Sequence, residues 1–177
     1  MGRRLSEGAA VSQRTSLRAR ALTASFKARL LQPPPPVWAF VYLGIARLLS
    51  ALYPSRALLD LRVVWLGVVL VVLGAALSTW AFLLFRSEGT EVNPTSERNT
   101  SLVVRGPFGV TRNPMYLGLV IVTLGIAFWV GLLPMFAVPV LVFATANCVH
   151  IPFEEDKLRR EFGAAFDDYL HRVRRWI

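Results

Sequence analysis

Two short stretches of the 177-residue chain hold most of the side chains that could do chemistry. The first, from Arg105 to Gly118, reads Arg-Gly-Pro-Phe-Gly-Val-Thr-Arg-Asn-Pro-Met-Tyr-Leu-Gly. The second, from His150 to Asp156, reads His-Ile-Pro-Phe-Glu-Glu-Asp. A carboxylate such as Glu154 can pair with a cation or a sugar diol. Aromatic faces such as Phe108 and Tyr116 can hold a cation. If a bound acceptor were an amine or a hydroxyl, His150 or Glu155 could take its proton. A structural account of the same residues competes. Pro114 suits the first turn of a helix and Asn113 its cap. Pro152 starts a further helix, with Glu154 and Glu155 in a first turn that favours carboxylates. The two accounts are balanced at the first cluster, and the structural one weighs more at the second. No His, Cys and Asp set has metal-ligand spacing, so no metal is expected. The lone Cys148, inside an apolar block, reads as a small buried residue.

The elements that must position these clusters are written in the hydropathy. The chain is 54% hydrophobic with mean hydropathy +0.48, and its apolar residues gather in blocks at 37–53, 61–85, 115–133 and 134–151. Each block approaches the ~20 residues that a bilayer core requires of a helix. The expected fold class is all-α, a polytopic membrane bundle of about four transmembrane helices. Gly131 and Pro134 break the last two blocks into a hairpin. Gly67 and Gly74, like Gly118 and Gly125, are seven apart, which puts each pair on one face where helices can approach closely. Arg47 interrupts the short first block and reads as a side chain snorkelling to the interface. From Phe153 onward the pattern is amphipathic, predicting cytosolic helices with a break at Gly163. Glu155 with Arg159, Asp156 with Arg160, and Asp168 with Arg172 have the spacing of i,i+4 ion pairs.

Net charge is +9. Nucleic-acid binding would require a basic face on a soluble fold, and the apolar blocks exclude that reading. With an even number of spans, 17 of the 20 Lys and Arg fall on one side. The positive-inside rule then puts both termini and the segment 86–113 in the cytoplasm, where a water-soluble cofactor would be met. Residues 1–36 form a basic leader, either amphipathic on anionic lipid or disordered, without the core of a signal peptide. Residues 37–177 form the membrane domain.

The order of pieces resembles the isoprenylcysteine carboxyl methyltransferase and phospholipid methyltransferase superfamily. The resemblance is carried by Leu102-Val103, Gly106-Pro107-Phe108, Arg112-Asn113-Pro114-Met115-Tyr116-Leu117-Gly118, the apolar hairpin, Glu154-Glu155 with Leu158, Phe162-Gly163, Tyr169 and Arg172-Val173. It covers roughly 86–177, half of the chain. It implies an integral membrane enzyme of bacterial inner-membrane type that moves a methyl group from S-adenosylmethionine to a lipophilic acceptor. It further implies that Thr100, Ser101, Leu102, Val103 and Phe108 line the cofactor pocket. By the same resemblance, Asn113, Pro114, Met115, Tyr116 and Glu154 would hold the cofactor, and Arg172 would either tie to the core or contact the ligand; His150 and Glu155 are the candidate bases named above.

Three departures qualify the substrate. Asn113 stands for the His of a His-Pro motif, Phe108 for a Tyr, and His150 for an Arg thought to serve a substrate carboxylate. Arg is charged at any working pH and His need not be, so the isoprenylcysteine substrate is not implied while the cofactor is. Methyl transfer from a sulfonium is an in-line displacement that mainly requires alignment. The rival readings are an NADPH-dependent membrane reductase of sterol-reductase-like architecture and a non-catalytic membrane protein of the same fold.

Overall fold

The computed structural model describes residues 33–52, 62–88 and 102–177. The basic leader and the candidate residues Thr100 and Ser101 lie outside the described residues. Among those described there are α-helices and single turns of other helix types, and no strand. The helices are α1 (Pro35–Leu52), α2 (Val64–Ser87), α3 (Pro114–Val130), α4 (Leu133–Thr145), α5 (Ile151–Phe162) and α6 (Ala164–Arg172). A 3-10 turn at Gly106–Gly109 precedes α3, and a π-helical turn at Ala146–His150 joins α4 to α5.

Three of these stretches are long and apolar enough to cross a membrane: Pro35–Leu52, Val64–Ser87 and the 30-residue continuous helix Leu133–Phe162. The fourth apolar block becomes part of that long helix. The third becomes α3, which at 17 residues is about 25 Å long at the usual rise. Three helices are thus long enough by length and composition, and α3 is a shorter apolar helix packed among them. Its limits are set by chemistry. Pro114 occupies the first turn, and Gly131 ends the helix at φ +78, where a Cβ would lie 2.5 Å from that of Arg62. The hairpin expected at Gly131 and Pro134 is present.

Helix α3 lies between α2 and α4, antiparallel to both. Its seam with α2 is built on the four glycines: a Cβ on Gly67 would meet the Gly125 carbonyl at 2.7 Å, and one on Gly74 the Gly118 carbonyl at 2.6 Å. On the other side α1 and α4 bury Ala39, Ala46, Ala127, Met135, Val138 and Val142 together, with Tyr42 and Thr145 joined hydroxyl to hydroxyl at 2.8 Å. Large apolar side chains such as Phe40 and Trp65 point outward at 73% and 70% exposure, the surface a bilayer covers.

Pro152 does not start a separate helix. The chain runs on from α4 because the intervening turn widens to i→i+5 bonding, with the Ile151 amide donating to the Ala146 carbonyl. A proline ring clashes with the carbonyl four residues back and has no N–H to give; a π turn relieves both. The true break is at Gly163, φ +50, after which α6 turns back along the bundle end.

Candidate functional site

The start of α3 and the C-terminal third of the long helix converge on one hydrogen-bonded pair. The Tyr116 hydroxyl donates to Glu154 Oε1 at 2.6 Å. Tyr116 is buried with Ala146 and Ile151, and Trp176 covers that cluster.

The last residues form a strap across this junction. The Arg112 amide donates to the Arg174 carbonyl at 3.0 Å, and Thr111 and Arg174 make a parallel β-bridge. The Thr111 hydroxyl and the Asn113 amide both donate to the Arg175 carbonyl, at 3.1 and 2.9 Å. Trp176 gives its indole N–H to Asn147 at 3.1 Å and packs on Phe143, ring centroids 4.6 Å apart. Underneath, the Arg112 guanidinium donates to the carbonyls of Leu170 and Val173 and to Glu155, each at 3.1 Å. Arg175 clasps both oxygens of Glu155. Nearby, the buried Tyr169 hydroxyl donates to the Phe108 carbonyl at 2.7 Å, and burial pushes its pKa up to about 12 against the opposing Arg112 charge.

On the other side of Tyr116 is a small cavity between α1, α3 and the π turn. It offers about 10 Å³, room for one water-sized group. Its walls are apolar at Pro35, Leu119, Val142 and Ala146, with Trp38, Thr145 and His150 completing them. His150 is 1% exposed and stacks on Tyr116 with ring centroids 6.1 Å apart. Neither ring nitrogen has a hydrogen-bond partner among the described residues. A buried polar group left so costs roughly 1–3 kcal/mol.

Tyr116, Glu154 and His150 are thus brought together, with Asn113 and Pro114 buried beside them. Asn113 is corrected in one respect: it makes no side-chain cap to α3 and its amide holds the strap. Val103 and Phe108 are buried elsewhere, against Ala81 of α2, with Met115 and Leu102 partly buried. Glu155 is not placed as a base, since three guanidinium hydrogen bonds engage it. The expected pair with Arg159 gives way to these, and Arg159 instead meets Asp156 and Asp167. Arg172 is exposed on α6 and bonds the Asp168 carbonyl rather than its carboxylate. Sequence reasoning missed Asn147, Arg175, Trp176 and Trp38. A polar Asn147 inside an apolar block was a signal in plain view; the strap residues carried none.

Comparison with known proteins bears on the same residues. A family model described as phospholipid methyltransferase matches residues 62–165. The chain belongs to that family. Among curated proteins, methanethiol S-methyltransferase 2 of Bradyrhizobium diazoefficiens is 37% identical over 97 residues, 52% of this chain and 32% of the relative. The chain therefore spans about a third of the length of the curated relative that it matches. No solved structure gives a significant match. The protein is a helical membrane protein of a methyltransferase family, and the family match contains α2, α3, the hairpin, His150 and the Tyr116–Glu154 pair.

Proposed function

We propose that the protein transfers a methyl group from S-adenosylmethionine to a lipophilic acceptor. The observation that carries this reading is the Tyr116–Glu154 pair, with Trp176 of the C-terminal strap packed on the Tyr116 cluster and an apolar cavity against Tyr116. Such residues suit the cofactor: the Glu154 carboxylate can accept from a ribose diol or an ammonium, and the aromatic face of Tyr116 suits a sulfonium. When bound, the cofactor supplies a methyl group on a good sulfur leaving group. The protein's own part is placement and exclusion of water. Tyr116 fixes the Glu154 carboxylate by its hydroxyl. Asn113, Thr111 and Arg112 hold the strap, and Glu155 with Arg175 locks the strap to the long helix. The acceptor reaches the cavity laterally, between α1 and the long helix. The relative's printed name, a methanethiol S-methyltransferase, supports an acceptor of small lipophilic kind. The Lys and Arg distribution supports an inner-membrane protein with both termini, and the cofactor face, in the cytoplasm.

The test is transfer of labelled methyl from S-adenosylmethionine to organic-soluble acceptors in proteoliposomes, with release of S-adenosylhomocysteine followed in parallel. Glu154→Gln should reduce turnover at low cofactor by at least tenfold. Wild-type rates in that variant would remove Glu154 from the reading.

A further inference from the structure

The C-terminal strap closes over the Tyr116 cluster, yet it is fixed less firmly than the helix that leads into it. Helix α6 is anchored: Phe166 is 1% exposed, and the Tyr169 hydroxyl holds the Phe108 carbonyl. Arg112 pins the end of α6 through the carbonyls of Leu170 and Val173. At Val173 the backbone leaves the helix for an extended conformation, φ −122 and ψ 132. Beyond it the chain is held on two sides. Residues 111–113 bind the carbonyls of Arg174 and Arg175. The long helix binds the strap through side chains: Glu155 takes Arg175, and Asn147 takes Arg175 and Trp176. The Arg175 side chain is 35% exposed, so water competes for its ion pair. Ile177 is exposed and adds no apolar anchor.

The helices have no such freedom. Along the glycine seam α2 and α3 approach backbone to backbone. The cavity against Tyr116 admits one water-sized group. A ligand as large as S-adenosylmethionine does not reach Tyr116 through that cavity unless a covering element moves. We propose that residues 174–177 are a lid that swings about Val173 to admit the cofactor and release its product, with Glu155 as the latch. The inference rests on the methyltransferase reading given above and concerns the traffic of ligand at that same site. The two adjacent acids then have separate tasks. Glu154 stays with the Tyr116 hydroxyl, while Glu155 holds Arg175 and keeps the Trp176 indole over the Tyr116 cluster. A lid of this kind excludes water while closed and has to open for exchange. A binding-competent state that is only fractionally populated weakens apparent binding by that fraction. Loosening the latch raises the open fraction, so it speeds entry as well as exit.

Two readouts test this. The first needs no cofactor. Amide hydrogen exchange of the full chain in detergent compares Arg112, whose amide is bonded to the Arg174 carbonyl, with Thr123, buried inside α3. A strap that opens while the bundle stays folded should let the Arg112 amide exchange roughly 100-fold or more faster than that of Thr123. Glu155→Gln should speed Arg112 about tenfold further and leave Thr123 within about threefold. Arg112 exchange as slow as that of Thr123 overturns the lid. The second follows labelled S-adenosylmethionine, with association by rapid filtration and dissociation by a chase of unlabelled cofactor. Glu155→Gln should raise both rates, association about threefold or more and dissociation about tenfold or more. A variant that only loosened the fold would bind less label and would not bind it faster. Association at or below the wild-type rate overturns the latch. Where Glu155→Gln does not fold, Trp176→Ala takes its place with the same expectation. Failure of wild type to bind S-adenosylmethionine would instead sink the parent reading, while strap opening stays measurable by the first readout.

Discussion

Replacing Gly67 with Ala probes the seam that sets the position of α3, and with it Tyr116. A Cβ there would meet the Gly125 carbonyl oxygen and the Trp129 amide nitrogen at 2.7 Å each, and the Trp129 Cα at 2.9 Å. All three are backbone atoms, so no side chain can swing aside. The helices must part by about half an ångström or more to reach ordinary contact, and the reciprocal Gly74–Gly118 approach opens with them. Overpacking of this kind costs roughly 1–3 kcal/mol. For a chain of this size that is about 2–4 °C of melting temperature per kcal/mol, or about 2–12 °C in all. The assay is thermal unfolding in detergent, with Gly44→Ala as the control. Gly44 has nothing within 4 Å of its would-be Cβ, so that change should be neutral or stabilising by up to ~1 kcal/mol. Equal melting of Gly67→Ala and wild type would refute the close-packed seam.

Three further outcomes are expected. Arg112→Ala removes donors to two carbonyls and to Glu155; the loss should reach about 3 kcal/mol, and hydrogen exchange at the Arg112 and Val173 amides should rise at least tenfold. Unchanged protection there would show that the strap is held otherwise. Tyr169→Phe loses the hydrogen bond to the Phe108 carbonyl, about 1–3 kcal/mol near neutrality. Because burial raises the folded-state pKa to about 12 from about 10 unfolded, that stabilisation is complete below pH 10 and is lost as pH rises through 12; unfolding curves for the variant should be flatter across that window. Tyr116→Phe leaves Glu154 without its neutral donor, and cofactor affinity should fall by roughly tenfold, about 1.4 kcal/mol, in calorimetry; an undiminished affinity would separate the pair from the cofactor.

What the sequence showed and what it hid divide along physical lines. Apolar block length, the Gly131–Pro134 hairpin and the seven-residue glycine spacing are local patterns, and each has its counterpart in the fold. Tyr116 and Glu154 were legible because a family resemblance selected them, not because spacing did; their contact spans 38 residues of sequence. The π turn was not legible. Its cue is one proline, Pro152, which also reads as a helix start, and only the packing of Ile151 and His150 decides that the helix continues. The i,i+4 pairs failed at Glu155 because a tertiary partner competes: Arg175, 20 residues on, arrives with the strap and offers two donors where Arg159 offers a solvated single contact. Surface pairs contribute about 0–1 kcal/mol, so they yield readily.

The central claim is that this is an S-adenosylmethionine enzyme, and the most direct measurement is calorimetric titration of the purified wild-type protein in detergent with S-adenosylmethionine, against NADPH. Saturable binding of S-adenosylmethionine with no heat from NADPH is the predicted result. Binding of NADPH alone by a folded sample would contradict the account and point to reductase chemistry in the same helical frame.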